Sequence, residues 1–330
     1  MTAPSSNPTP PYSFIEAALS QSTQGAVPQL PGAEAEWLAE GVLSLQPTHQ
    51  STQPAVILSV GVHGDEIVPI RLVDRWLREA VADGQSLARP ILLVLANPAA
   101  YLAGARQVEQ NLNRLFSVQQ GERHGIEPQR AAALTAAVAE FVSAHPGGLH
   151  FDLHSTIRPS AKDRFALVPP ACADREQTGL QYWFGRFAVD AWVQNTSPAA
   201  TFANFTAGLG YLSATVEVGQ VAGPDQPLDR FLPLVPALAD LAAGRELPTE
   251  HHPQGYQVVD EIVRPEGEFT VVLEDFVNFR TLSAGTVVAE SADRQWTIDQ
   301  TGDALLFLNP NVEVGQRVAL VIRPQSTAGG

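Results

Sequence analysis

The residues of this chain best suited to chemistry are His63 and Glu66, within Gly61-Val62-His63-Gly64-Asp65-Glu66. An imidazole and a carboxylate three positions apart can converge on one ion, and mixed nitrogen and oxygen ligands suit zinc. His-x-x-Glu is short enough to arise by chance in a surface turn, so a third ligand has to be found. Leu149-His150-Phe151-Asp152-Leu153-His154-Ser155 offers it. Strand alternation puts Leu149, Phe151 and Leu153 on one face and His150, Asp152 and His154 on the other. His154 closes that strand and is the third candidate ligand, and Asp152 is a carboxylate able to orient an imidazole. His150 lies deeper on the same face and reads as structural. His124, His145, His251 and His252 fall near turns or proline-rich segments and are not assigned as ligands. Glu217 sits inside the apolar run 211–219 (YLSATVEVG). A carboxylate there is either at a wet sheet edge or buried for a purpose. In the second case it is a general base whose proton affinity is set by burial near a metal-activated water.

The elements that must position these groups are legible as patterns. Residues 55–60 (AVILSV) form a continuous apolar run, as in a buried parallel strand. From 67 to 82, Ile67, Ile70, Val73, Leu77 and Val81 recur at helical spacing, with Pro69 tolerated in the first turn. His63 and Glu66 therefore stand at the carboxyl end of a strand, where open α/β sheets place ligands. Residues 90–96 read as a second buried strand. The segment 101–116 after it reads as a loop at the same sheet edge, carrying Arg106, Asn111, Asn113 and Arg114. Arginines are ordinarily solvated surface charges, but two of them with two asparagines beside a candidate metal site favour anion binding.

Further on, 127–144 has helical propensity, 164–169 reads as a strand, and 178–193 as an aromatic-rich core helix. Residues 227–244 read as a last helix interrupted at Pro233 and Pro236, and 247–255 as a linker. From Tyr256 the pattern turns to short β runs without a His/Cys/Glu cluster, as in a small all-β domain that caps, packs or assembles. The expected division is a catalytic domain at 1–250 and a β domain at 251–330, with a Pro/Ser/Thr-rich frayed start up to about residue 12.

Composition narrows the function. The chain has 330 residues, of which 45% are hydrophobic and 17% charged, enough for one large domain and a small one. A net charge of −15 argues against nucleic acid or an anionic membrane as partner, since both need a basic face. The lone cysteine, Cys172, excludes an internal disulfide and a thiolate zinc site. With no apolar stretch of membrane-span length and no basic-then-apolar start, a cytoplasmic enzyme is expected. A homo-oligomer remains compatible with the sequence.

Taken together, Gly61-Val62-His63-Gly64-Asp65-Glu66, Asn97-Pro98, Arg106 with Asn113-Arg114, Asp152-Leu153-His154 and Val216-Glu217-Val218-Gly219 resemble, in identity and order, the succinylglutamate desuccinylase/aspartoacylase family. The motifs span roughly residues 50 to 220, and the β-rich segment after them is also of the family's kind. Within the family, Asn111-Leu112-Asn113-Arg114 and Asp152 through Arg158 (DLHSTIR) are most similar to the desuccinylase branch. The resemblance implies a carboxypeptidase-like α/β zinc-hydrolase fold, with a mixed central sheet flanked by helices and a small C-terminal all-β domain. It implies one Zn²⁺ per chain on His63, Glu66 and His154, with Glu217 as the catalytic carboxylate. Arg106, Asn113 and Arg114 are then expected at the substrate, and Arg158 offers a further carboxylate fork. The implied reaction is hydrolysis of N2-succinyl-L-glutamate to succinate and L-glutamate, the last step of arginine degradation by the succinyltransferase route. A departure is Asp65, where the family more often has asparagine. It adds negative charge beside the ligands. Deacylation of another N-acyl amino acid such as N-acetylaspartate, a metallocarboxypeptidase, and a non-catalytic zinc-binding protein remain the alternatives.

Overall fold

The computed structural model describes residues 12–20, 25–117, 124–221, 223 and 226–325. All but the end of the expected frayed start thus lies outside the described residues. The strands are β1 (Ala33–Ala39), β2 (Val42–Pro47), β3 (Val56–Val60), β4 (Ile91–Leu95), β5 (Leu149–Thr156), β6 (Arg164–Val168), β7 (Ala191–Gln194), β8 (Leu212–Gln220), β9 (Gln254–Val263), β10 (Phe269–Val271), β11 (Val287–Ser291), β12 (Gln295–Thr297), β13 (Ala304–Leu306) and β14 (Arg317–Pro324). The α-helices are α1 (Phe14–Ala18), α2 (Ile67–Ala82), α3 (Pro98–Leu102), α4 (Ile126–Ala144), α5 (Thr178–Arg186), α6 (Phe202–Gly208) and α7 (Leu234–Ala242).

Eleven strands form one mixed sheet in the order β1-β2-β4-β3-β5-β8-β6-β7-β9-β14-β13. Its centre, β4-β3-β5-β8, is parallel, and its strands are buried on both faces, as their continuous apolar runs require. Val56, Leu58, Val60, Leu149, Phe151 and Leu153 pack with α1, α2, α5 and α7. Ile57, Leu92 and Val94 face the other way, into a second core with α4 and Phe202 of α6. The alternation expected in β5 holds, so His150, Asp152 and His154 share the face opposite Leu149, Phe151 and Leu153.

The sheet does not stop where the linker was expected. β9 begins at Gln254 and pairs in parallel with β7, which joins β9, β14 and β13 to the main sheet. Among the described residues, only β10, β11 and β12 form a separate sheet. Phe165, Val193, Tyr256 and Ile322 share one apolar cluster across that junction.

Two local expectations need correction, and one hairpin was missed. The helix read over 178–193 ends at Arg186. Ala188 takes a left-handed φ of 52°, which breaks the turn, and Ala191 through Gln194 then pair as a strand. The segment 101–116 is not all loop, because Asn97 caps the short helix α3 and Asn111 caps a 3₁₀ turn at Leu112–Arg114. The hairpin of β1 and β2 went unread. Its first strand alternates but is built of alanine and glutamate (AEAEWLA), residues depleted in strands, and it lies at the sheet edge.

Candidate active site

His63 and Glu66 lie in the turn between β3 and α2. Gly61 ends β3 with a φ of 66°, a conformation glycine adopts without strain. Gly64 brings the turn so close to α3 that a β-carbon there would stand 2.1 Å from the Ala100 carbonyl carbon. Its N–H donates to the Arg106 carbonyl at 3.2 Å, tying the turn to the following segment. Glu66 is the N-cap of α2, yet its carboxylate caps nothing. It turns instead towards the imidazoles. His63 Nδ1 lies 2.8 Å from Oε1, and His154 Nδ1 lies 2.8 Å from Oε2. Arg106 Nη1 donates to Oε1 at 2.9 Å and the Ser155 N–H to Oε2 at 3.0 Å. All three candidate ligands are buried.

The parallel register of β3, β5 and β8 places the rest. Ser59 stands opposite Asp152, and His154 opposite Glu217. Asp152 Oδ2 lies 3.0 Å from His154 Nε2, and Ser59 Oγ donates to Asp152 Oδ1. His150 serves behind this layer, its Nε2 at 2.8 Å from Ser59 Oγ and its Nδ1 at 2.7 Å from Thr206 Oγ1. Burial lowers its pKa to about 4, so it is neutral.

The donor set fits a divalent cation on three observations. The ligand atoms of His63, Glu66 and His154 lie within 4.8 Å of one another. Each imidazole turns Nδ1 towards Glu66 and holds an oxygen at Nε2, Asn111 Oδ1 for His63 (3.0 Å) and Asp152 for His154, the usual support of metal-ligating histidines. The charge balance also asks for a cation. Burial alone would raise the Glu66 and Asp152 carboxyls, but neighbouring imidazoles outweigh it and hold both below the ordinary range. Burial would lower the pKa of His154, and the two carboxylates outweigh that and raise it well above its usual value. Two carboxylates on one imidazole thus favour positive charge at this place. His63, by contrast, is kept towards its neutral form by burial.

Glu217 is buried, and its Oε2 has no hydrogen-bond partner among the described residues. Burial pushes its carboxyl up to about 8, His154 opposing the shift and Glu66 adding to it. A buried, unsatisfied carboxylate beside a candidate metal triad is costly as structure and suited to exchanging a proton. Asp65 Oδ1 is likewise buried without a partner among the described residues.

The expected substrate residues separate. Arg106 reaches the triad directly. Arg114 is exposed and donates to the Asn113 carbonyl at 2.9 Å. Surrounding protein lowers its pKa first, and the positive charges of Arg317 and Arg106 lower it further, so like charges gather on this side. Asn113 is buried and accepts the Phe202 N–H at 3.0 Å, which ties the 3₁₀ turn to α6. Arg158 is exposed in the bend after β5. Several residues went unassigned from sequence, among them Ser59, Asn111 and Arg317. Asn111 touches His63 through an Asx-type turn that its spacing to Asn113 could have flagged. Arg317 comes from β14, in a segment that showed no cluster.

Residues 52–240 match the model of the succinylglutamate desuccinylase/aspartoacylase catalytic domain, and 251–325 that of the AstE/AspA barrel-sandwich hybrid domain. A succinylglutamate desuccinylase of Burkholderia orbicola is 34% identical over 87% of this chain and 86% of its own length. The one of Yersinia enterocolitica is 32% identical over 92% of this chain and 96% of its own. Among solved structures, succinylglutamate desuccinylase of Vibrio parahaemolyticus superposes with a TM-score of 0.84 at 28% identity, covering 94% of this chain and 95% of that one.

Proposed function

Since this chain belongs to the succinylglutamate desuccinylase/aspartoacylase family, we propose that it hydrolyses N2-succinyl-L-glutamate to succinate and L-glutamate. The reaction is the last step of arginine degradation by the succinyltransferase route, and it takes place in the cytoplasm. The relatives' shared activity supports the substrate. The observation that carries the chemistry is the buried, unpartnered carboxylate of Glu217 in register beside His154.

His63, Glu66 and His154 would hold one Zn²⁺, through two imidazole nitrogens and a carboxylate. Bound there, zinc lowers the pKa of water from 15.7 towards about 7 and polarises a carbonyl as a Lewis acid. Glu217 takes the proton of the water that attacks the amide carbonyl. As the C–N bond breaks, it returns that proton to the departing glutamate nitrogen. Burial, by raising the proton affinity of this carboxyl, suits it to take a proton and give it back. Asp152 holds the His154 ring in place, and Ser59 holds Asp152. Arg106 and Arg114 bind carboxylates of the substrate, since guanidinium forks suit carboxylates. Succinylglutamate carries three carboxylates, which accounts for arginines gathered here in so acidic a chain. Asn113 contributes by fixing the turn that presents Arg114, and Arg158 supplies an outer positive charge. The division at residue 250 into a catalytic part and a β unit is supported by the separate family models that match on either side.

The test is free-amine release by zinc-loaded protein from N2-succinylglutamate, N-acetylaspartate and a panel of peptides. Succinylglutamate should be turned over fastest. Faster turnover of N-acetylaspartate or of the peptides would reassign the substrate.

A further inference from the structure

Glu127, one residue into α4, is a fully buried carboxylate that the chemistry above does not use. Its Oε1 accepts the Val108 N–H at 2.6 Å and the Asn97 side-chain amide at 3.3 Å. Its Oε2 accepts the N–H groups of Glu109 at 3.0 Å and Gln110 at 3.2 Å. Three successive backbone donors thus close on one anion. The lock is reciprocal, because Glu109 Oε2 accepts the Ile126 N–H at 2.7 Å, next to Glu127.

The clamped residues lie between Arg106, which donates to Glu66, and Asn111, which meets His63. The near end of the same segment is pinned by the Gly64 N–H on the Arg106 carbonyl. With both ends on the triad and the middle on Glu127, the segment has little freedom to change register. Charge-assisted bonds to backbone N–H groups are among the stronger ones available.

We propose that Glu127 is a positioning residue for substrate recognition, holding 106–111 so that Arg106 presents its guanidinium to the substrate carboxylate. The proposal rests on the reading of Arg106 as a substrate contact. Burial by itself would raise the Glu127 carboxyl. The N–H groups of Val108, Gln110 and Glu109 and the Asn97 amide outweigh it and hold the carboxyl below the ordinary range, so the clamp stays ionised at working pH.

The test uses the zinc-loaded full chain and Glu127→Gln, which keeps the shape but sets an amide NH₂ against one group of donors. Deuterium exchange in a peptide covering 106–112 should quicken. KM for succinylglutamate should rise roughly ten- to a hundredfold, the scale of one lost bond to a charged group, while kcat changes far less. Glu109→Ala, at an exposed side chain, should shift both in the same direction by less, and it serves if Glu127→Gln does not fold. Arg106→Ala separates the two claims. If it leaves KM unchanged, the assignment of Arg106 is wrong. If it raises KM while Glu127→Gln leaves exchange or KM as in the wild type, the clamp is overturned.

Discussion

On the sheet side of the site, His154, Asp152 and Glu217 take their places from the register of β5 and β8, deep in a parallel sheet buried on both faces. On the loop side, Arg106, Asn111 and Arg114 hang from a segment whose one regular element is a single 3₁₀ turn, fastened by Gly64, Glu127 and Asn113. Sheet register tolerates no slippage, because a one-residue shift would reverse every side chain. A loop held at a few points can be re-aimed by changing one of them. On the reading proposed above, the rigid side carries Glu217, His154 and its support Asp152, which must meet a proton and a small ion within tenths of an ångström, and the adjustable side carries groups that choose a substrate. Damage to the first should therefore abolish hydrolysis, and damage to the second should alter preference.

The largest effect is expected at the ligands. Alanine at His63, Glu66 or His154 should bring bound zinc well below one per chain and reduce hydrolysis to background, read by metal analysis and amine release. Full zinc occupancy in all three variants would move the metal elsewhere. Next, Glu217→Gln keeps the shape but cannot accept a proton. It should retain zinc and lose roughly 10²–10⁴-fold in turnover, whereas near-normal turnover would return Glu217 to a structural role.

Asp152→Asn tests whether the sheet side works through a chain of supports. It leaves the packing intact and removes the charge behind His154, so zinc affinity should fall by about 10- to 100-fold, as for other groups that orient metal-bound histidines. Unchanged affinity in a competition titration with a chelator would leave Asp152 without that role. The smallest effects belong to the loop side. Arg106→Ala should lower kcat/KM for succinylglutamate roughly ten- to a hundredfold, with zinc content intact. Arg158→Ala, at an exposed position, should cost less than Arg106→Ala, and an equal loss would bring Arg158 into the pocket.

The two sides also differed in how far the sequence disclosed them. Strand periodicity is local and strict, so β5 exposed which face His150, Asp152 and His154 share, and the apolar run before Gly61 marked a strand end. Glu217 stood out because a carboxylate in VEV needs a reason. The loop side offered residue types without geometry. Which of Asn111 and Asn113 meets His63 depends on how the 3₁₀ turn is capped, and Asn113 turns away to α6. Glu127 looked like an ordinary first-turn glutamate, since its partners lie 17 to 30 residues earlier in a segment with no regular pattern. The end of α5 was hidden for a similar reason. The apolar spacing continues past Arg186, and only the left-handed backbone at Ala188 ends the helix.

The most direct measurement compares kcat/KM of the zinc-loaded wild type on N2-succinyl-L-glutamate and on N-butyryl-L-glutamate, which keeps the amide and chain length but lacks the distal carboxylate. With hydrolysis on the sheet side and carboxylate recognition on the loop side, the succinyl compound should be preferred by roughly ten- to a hundredfold, the scale of one charge-assisted contact. Equal rates on the two compounds would contradict the assignment of the arginines, and with it the substrate.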